Sequence, residues 1–125
     1  MRCWGMIVAL GLAAAPALAE DHLGDFEAAA MTGDYQAQRN TAFCLSSGQC
    51  KGLIAPRPLD ACAWRFVILG SGASQVDQSD VGNYRTDCVE KLNEDERAAA
   101  QRKANVLFQQ VYKRPLVVRP LGPSL

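Results

Sequence analysis

Asp60-Ala61-Cys62-Ala63-Trp64-Arg65-Phe66-Val67-Ile68-Leu69-Gly70 is the stretch that decides the fold. It is apolar around most of its circumference, which a helix tolerates only when neighbours surround it, so the segment reads as the central, most buried helix of an all-α domain. Asp60 is placed to cap its start, and Gly70-Ser71-Gly72 ends it. Arg65 is the exception on this cylinder and has to reach water or a carboxylate. Trp64 reads as core, with its indole N–H on a loop carbonyl, or as an aromatic lining a groove.

Outward from this helix the chain alternates periodic segments with breakers. Upstream, Gln49 to Pro58 reads as loop because Gly52, Pro56 and Pro58 interrupt any helical register. Before it, Asp34 caps a helix that carries Tyr35, Ala37, Ala42, Phe43 and Leu45 and closes at Gly48, a residue suited to the left-handed end position. A shorter helix from about Leu23 to Met31 closes at Thr32-Gly33. Downstream, Asp77 to Leu92 places Val81, Tyr84, Cys88 and Leu92 on one stripe, with irregularity expected near its start at Gly82. The last helix has the clearest signature. Asn93 and Glu96 stand at capping-box spacing, Glu94 and Asp95 favour the first turn, and Ala100, Ala104, Leu107, Phe108 and Val111 form the apolar face before Lys113, Arg114 and Pro115. No alternating strand pattern accompanies these segments. The expected fold is a small bundle of about five helices, spanning residues 20–114, followed by an extended Pro-rich tail over 115–125.

The N-terminus reads as an export signal over residues 1–19. Arg2 supplies the charge, Ile7 to Ala15 the apolar run, and Ala17-Leu18-Ala19 the small-x-small cleavage pattern ahead of Glu20-Asp21. The expected working chain starts near Glu20. Nothing after Ala19 is apolar for long enough to span a bilayer, so that chain is expected to be soluble, in the periplasm by first choice and secreted by second. The sequence has 13 acidic and 13 basic residues, and loss of Arg2 leaves a formal charge near −1. Such a balance gives no ground for nucleic acid or an anionic surface as partner.

Five cysteines are present, and removal of Cys3 with the signal leaves Cys44, Cys50, Cys62 and Cys88. An even number in an oxidising compartment predicts two disulfides. Antiparallel neighbours at the third and fourth helices bring Cys62 beside Cys88 and leave Cys44 for Cys50, although Cys44 with Cys62 and Cys50 with Cys88 also suits a helical hairpin. The role is structural in either case, because no Cys-x-x-Cys spacing is present to activate a thiol.

Ala37, Ala42, Leu45 and Gly48, then Asp60, Ala61, Ala63 and Trp64, then Gly70 or Gly72, follow the order of features in a Sel1-like repeat. The stretch Ala37–Gly72 resembles a degenerate member of that family, the bacterial relative of the tetratricopeptide helical hairpin. Leu92-Asn93-Glu94-Asp95-Glu96 followed by Ala98-Ala99-Ala100 and Ala104 is similar to the capping region of such proteins. The resemblance implies a helical hairpin and a role in protein contacts. Two departures stand out: one repeat is visible where a solenoid stacks several, and Gln49-Cys50-Lys51-Gly52 and two prolines replace the usual glycine-rich middle.

The inventory for catalysis is thin. His22 is the only histidine and lies just after the expected cleavage site, where it reads as an exposed terminal residue. This excludes a multi-histidine metal site and argues against a Ser-His-Asp arrangement. Asp77, Asp80, Asp87 and Glu90 read as a solvated helix face, without the glycine and terminal glutamate of a calcium loop. Gly70-Ser71-Gly72-Ala73-Ser74 lacks the strand and lysine of a nucleotide loop and reads as a helix end. No catalytic, cofactor-binding or metal-ligating residue is therefore assigned. The expected function is that of a non-enzymatic protein-binding or accessory subunit, with another periplasmic or membrane-associated protein as partner and Leu116-Val117-Val118 as docking segment. Tyr35, Tyr84 and Tyr112 are further candidates for interface contacts. The alternative is a protein binding a small molecule or cofactor in an apolar pocket.

Overall fold

The computed structural model describes residues 22–118. The segment read as an export signal and residues 119–125 of the Pro-rich tail lie outside the described residues. The described chain is an all-α bundle of five helices: α1 (Leu23–Ala30), α2 (Tyr35–Ser47), α3 (Pro58–Gly70), α4 (Gln78–Tyr84, running on as a wide π turn over Arg85–Glu90) and α5 (Glu94–Tyr112). Among the described residues no helix is long and apolar enough to cross a membrane.

Helix α3 is the centre, as its sequence requires. Every residue from Ala61 to Ile68 is buried, and α2, α4 and α5 pack around it. Small residues make the close approaches: Ala42 on α2, Ala61 and Ala63 on α3, and Ala100 and Ala104 on α5 are all buried. Phe108 and Leu45 fill the space between them. Phe43, expected with the apolar face of α2, instead points outward and is 56% exposed. One residue of offset on a helix is a rotation of about 100°, and the buried residues of α2 are Ala37, Gln38, Thr41, Ala42, Cys44 and Leu45.

The ends of the helices follow local chemistry. The Asp34 carboxylate accepts from Ala37 N–H at 2.7 Å, and Gly48 closes α2 at φ 70°. Asn93 and Glu96 form a reciprocal capping box at 2.8 and 3.0 Å. Asp77 and Asp80 form a second one at the start of α4. The expected Asp60 cap is displaced. Helix α3 begins at Pro58, whose ring presets φ and whose missing N–H needs no partner in the first turn. Asp60 therefore sits inside that turn, paired with Arg57 at 2.5 Å and Lys103 of α5 at 2.6 Å. The irregularity in the fourth segment lies at its end and not at Gly82. Over the π turn, adjacent residues Asp87 and Cys88 both reach α3, one by an ion pair and one by a disulfide.

The two disulfides join Cys44 to Cys50 and Cys62 to Cys88. The first brings the loop after α2 back onto that helix, and the second ties α4 to α3 across 26 residues.

Candidate functional site

Three features gather the side chains that remain available for chemistry or contact: a buried polar staple, a groove, and the chain that follows α5. The staple centres on Asp87, which is 4% exposed and accepts from Arg65 Nε at 2.8 Å, Ser46 Oγ at 2.7 Å and Lys91 Nζ at 3.3 Å. Burial by itself pushes this carboxyl upward, but the hydrogen bonds from Arg65 and Ser46 outweigh it and hold Asp87 below the usual carboxylate range. Asp80, 1% exposed, forms a second staple: it accepts from the Tyr35 hydroxyl at 2.5 Å and from Asp77 N–H at 3.1 Å, with Arg39 Nε at 3.2 Å. Burial, followed by the bond to Asp80, raises the Tyr35 phenol. Asp77, at the surface, is held low by its bond from Ser79 Oγ.

Asp80 and Asp87 correct the expectation of a solvated acidic face, on which Asp77 and Glu90 do lie exposed. Asp80 and Asp87 point inward because each meets a cation or hydroxyl from α2 or α3 that would otherwise be left without a partner. Both clamp α4 onto α2 and α3: Asp87 accepts from three of the protein's own donors, while Asp80 takes both of its hydrogen bonds on Oδ2 and its buried Oδ1 faces Arg39 with no hydrogen bond among the described residues. Arg65 reaches a carboxylate as expected. Gln38, unremarked in the sequence, is fully buried and ties three helices, donating to Ala30 O at 3.2 Å and to the Tyr112 hydroxyl at 3.0 Å. Tyr84 packs edge-on against Phe66. The three tyrosines expected at an interface thus all make contacts within the bundle.

The groove lies where α1, α2, α3 and α5 meet. Met31, Leu45, Trp64 and Leu107 form its apolar floor, and Glu27, Arg57 and Asp60 stand along it, around a volume of about 250 Å³. Trp64 is buried in the core and also lines this groove, while its indole N–H meets no carbonyl among the described residues.

After α5 the chain turns sharply. Lys113 adopts a left-handed φ of 57°, and Arg114 then crosses the end of α5, 4.8 Å above the Phe108 ring and 5.5 Å from that of Tyr112. Its guanidinium donates to Ser71 O at 3.1 Å. Leu116 packs into the core beside Gly70, where any Cβ would collide with it. Leu116 is therefore an anchor, which corrects its place in the expected docking segment. Val117 and Val118 remain outside, 65% and 44% exposed.

His22 is exposed as expected, but its backbone is fixed: its carbonyl accepts from Asp25 and Phe26 at the start of α1, and Leu23 N–H donates to Lys51 O at 3.0 Å. Among the described residues no group of three or more His, Cys, Asp or Glu side chains is assembled to hold a metal ion. Comparison with protein-family models, curated proteins and solved structures finds no match to this chain.

Proposed function

We propose that this chain is a non-enzymatic protein-binding or accessory subunit that acts in the periplasm after removal of residues 1–19. One observation carries the reading: two large apolar side chains, Val117 and Val118, are held at the surface by a segment pinned on both its polar and its apolar contacts, through Arg114 and Leu116. A fixed backbone loses little freedom on docking, so exposed apolar residues placed this way favour a partner. Descent from a Sel1-like repeat is part of the proposal, supported by the packed α2–α3 pair, in which Gly48 closes α2 and Trp64 lies within α3. The groove gives less support to a small-molecule role, since its volume of about 250 Å³ falls below the ~300–1,000 Å³ of ordinary ligand clefts.

The test is recovery of partners by the disulfide-oxidised chain from periplasmic extract, with stoichiometry measured by mass spectrometry. One protein recovered in fixed ratio, and lost with Val117→Asp/Val118→Asp, is the expected result. Equal recovery by that variant, or nothing above background, overturns the reading. Leu116 is left unchanged in this test because its substitution would disturb the core.

A further inference from the structure

The segment that carries Val117 and Val118 has a backbone as open as its side chains. After the bend at Lys113 and Arg114, residues 115–118 run without helix, turn or bend. Among the described residues no hydrogen bond reaches the backbone N–H or C=O of Leu116, Val117 or Val118. Exposure alternates along the segment in the manner of a strand lying on a surface: Pro115 is exposed, Leu116 packs on the core, Val117 is 65% exposed and Val118 falls to 44%. Side chains that point in turn toward the bundle and away from it leave the backbone groups pointing sideways.

These unpaired groups decide what can cover the two valines. A partner that buries Val117 and Val118 also takes the peptide groups between them out of water, and a donor or acceptor buried unmet costs more than the apolar contact beside it returns. A helix has its own backbone groups engaged and cannot meet them. The edge strand of a sheet offers N–H and C=O at the matching spacing. The sequence agrees: three successive apolar residues, two of them β-branched, stand between Pro115 and Pro120, and a proline at each end confines pairing to a short strand. A second copy of this chain would supply only a two-stranded ribbon of that length, which is marginal in water.

We propose that residues 116–118 add as a short strand to the exposed sheet edge of a protein partner, with backbone pairing supplying affinity and the valines supplying fit. The proposal rests on the accessory-subunit reading and specifies how that partner is held.

The test uses the full oxidised chain and the protein that it recovers in fixed ratio from periplasmic extract. Deuterium exchange at single amides of the complex should slow at least about tenfold at alternate positions, either Val117 or the pair Leu116 and Val118, because successive N–H groups of a strand point to opposite edges. Proline and alanine substitutions separate backbone from side chain. Of Val117→Pro and Val118→Pro, the one on the paired edge should weaken the complex at least about tenfold more than alanine at the same position, although proline keeps more apolar surface. A complex lost with Val117→Asp/Val118→Asp that leaves all three amides exchanging as in the free chain overturns strand addition, while the accessory-subunit reading stands. Alanine as damaging as proline at both positions does the same. Recovery of no partner overturns both readings. A chain that alone doubles in mass on sedimentation, with these amides protected, assigns the strand to a second copy and also overturns the proposal.

Discussion

Arg65 and Asp87 enter the core together, and neither is tolerable there alone. Removing the carboxylate strands a guanidinium that is 6% exposed, so Asp87→Ala should destabilise the fold by ~3–5 kcal/mol in urea unfolding. The same pair sets a pH response. Asp87 has its folded pKa held below its unfolded value of ~3.9, so its stabilising contribution is complete above that value and is lost as pH falls through the folded pKa. Urea midpoints measured from pH 6 down to 2 should fall more gently for Asp87→Asn than for the parent chain. Thr41 gives the opposite case. Its hydroxyl is buried without a partner among the described residues, and the near-isosteric Thr41→Val should be neutral or stabilising by up to ~1 kcal/mol. Equal destabilisation would mean that the hydroxyl has a bond after all. Of these residues, Arg65 was legible because a lone cation on an apolar helix demands an acceptor. Asp87 was not, since charge alternation along α4 looks the same whether the acids face water or a neighbouring helix. A signal was present nonetheless: the favoured pairing of Cys62 with Cys88 already puts residue 87 beside the turn that carries Arg65.

Helix ends were the most legible elements, because capping depends on neighbours in sequence. Asp34, Gly48 and the Asn93–Glu96 box all act as their spacing predicts. Asp60 failed as a cap for an equally local reason, the proline two residues before it. The π turn was illegible, as it follows from where α3 places Arg65 and Cys62 and not from a helix-breaking residue at its own position. At the far end of α3, Gly70 does more than terminate a helix: it leaves room for Leu116. Gly70→Ala should dislodge the strap after α5 at a cost of ~1–3 kcal/mol, the range for forcing an extra methyl into a packed site. Trypsin should then cut after Lys113 faster than in the parent protein, while helical circular dichroism stays constant. An unchanged cleavage rate would show that the strap can shift without leaving α3.

At the scale of the molecule, two covalent links restrain the unfolded chain to different degrees. Cys62–Cys88 spans 26 residues and Cys44–Cys50 spans 6, so by loop-closure entropy the longer link should stabilise by about 1 kcal/mol more. Paired serine substitutions at each bridge, compared by thermal melting, check the order, and a larger loss from the short link would point to the loop it braces and not to chain entropy. By itself the sequence determined the all-α class, the five helices, the central place of α3 and the need for two bridges, since periodicity, caps and cysteine parity are properties of short stretches. Only the tertiary structure decided that Asp80 and Asp87 are clamps, that Leu116 is an anchor while Val117 and Val118 stand free, and that Trp64 lines a groove as well as the core. Each of these depends on which residues from distant segments meet, and burial at a given helix position is set by the neighbour that arrives there.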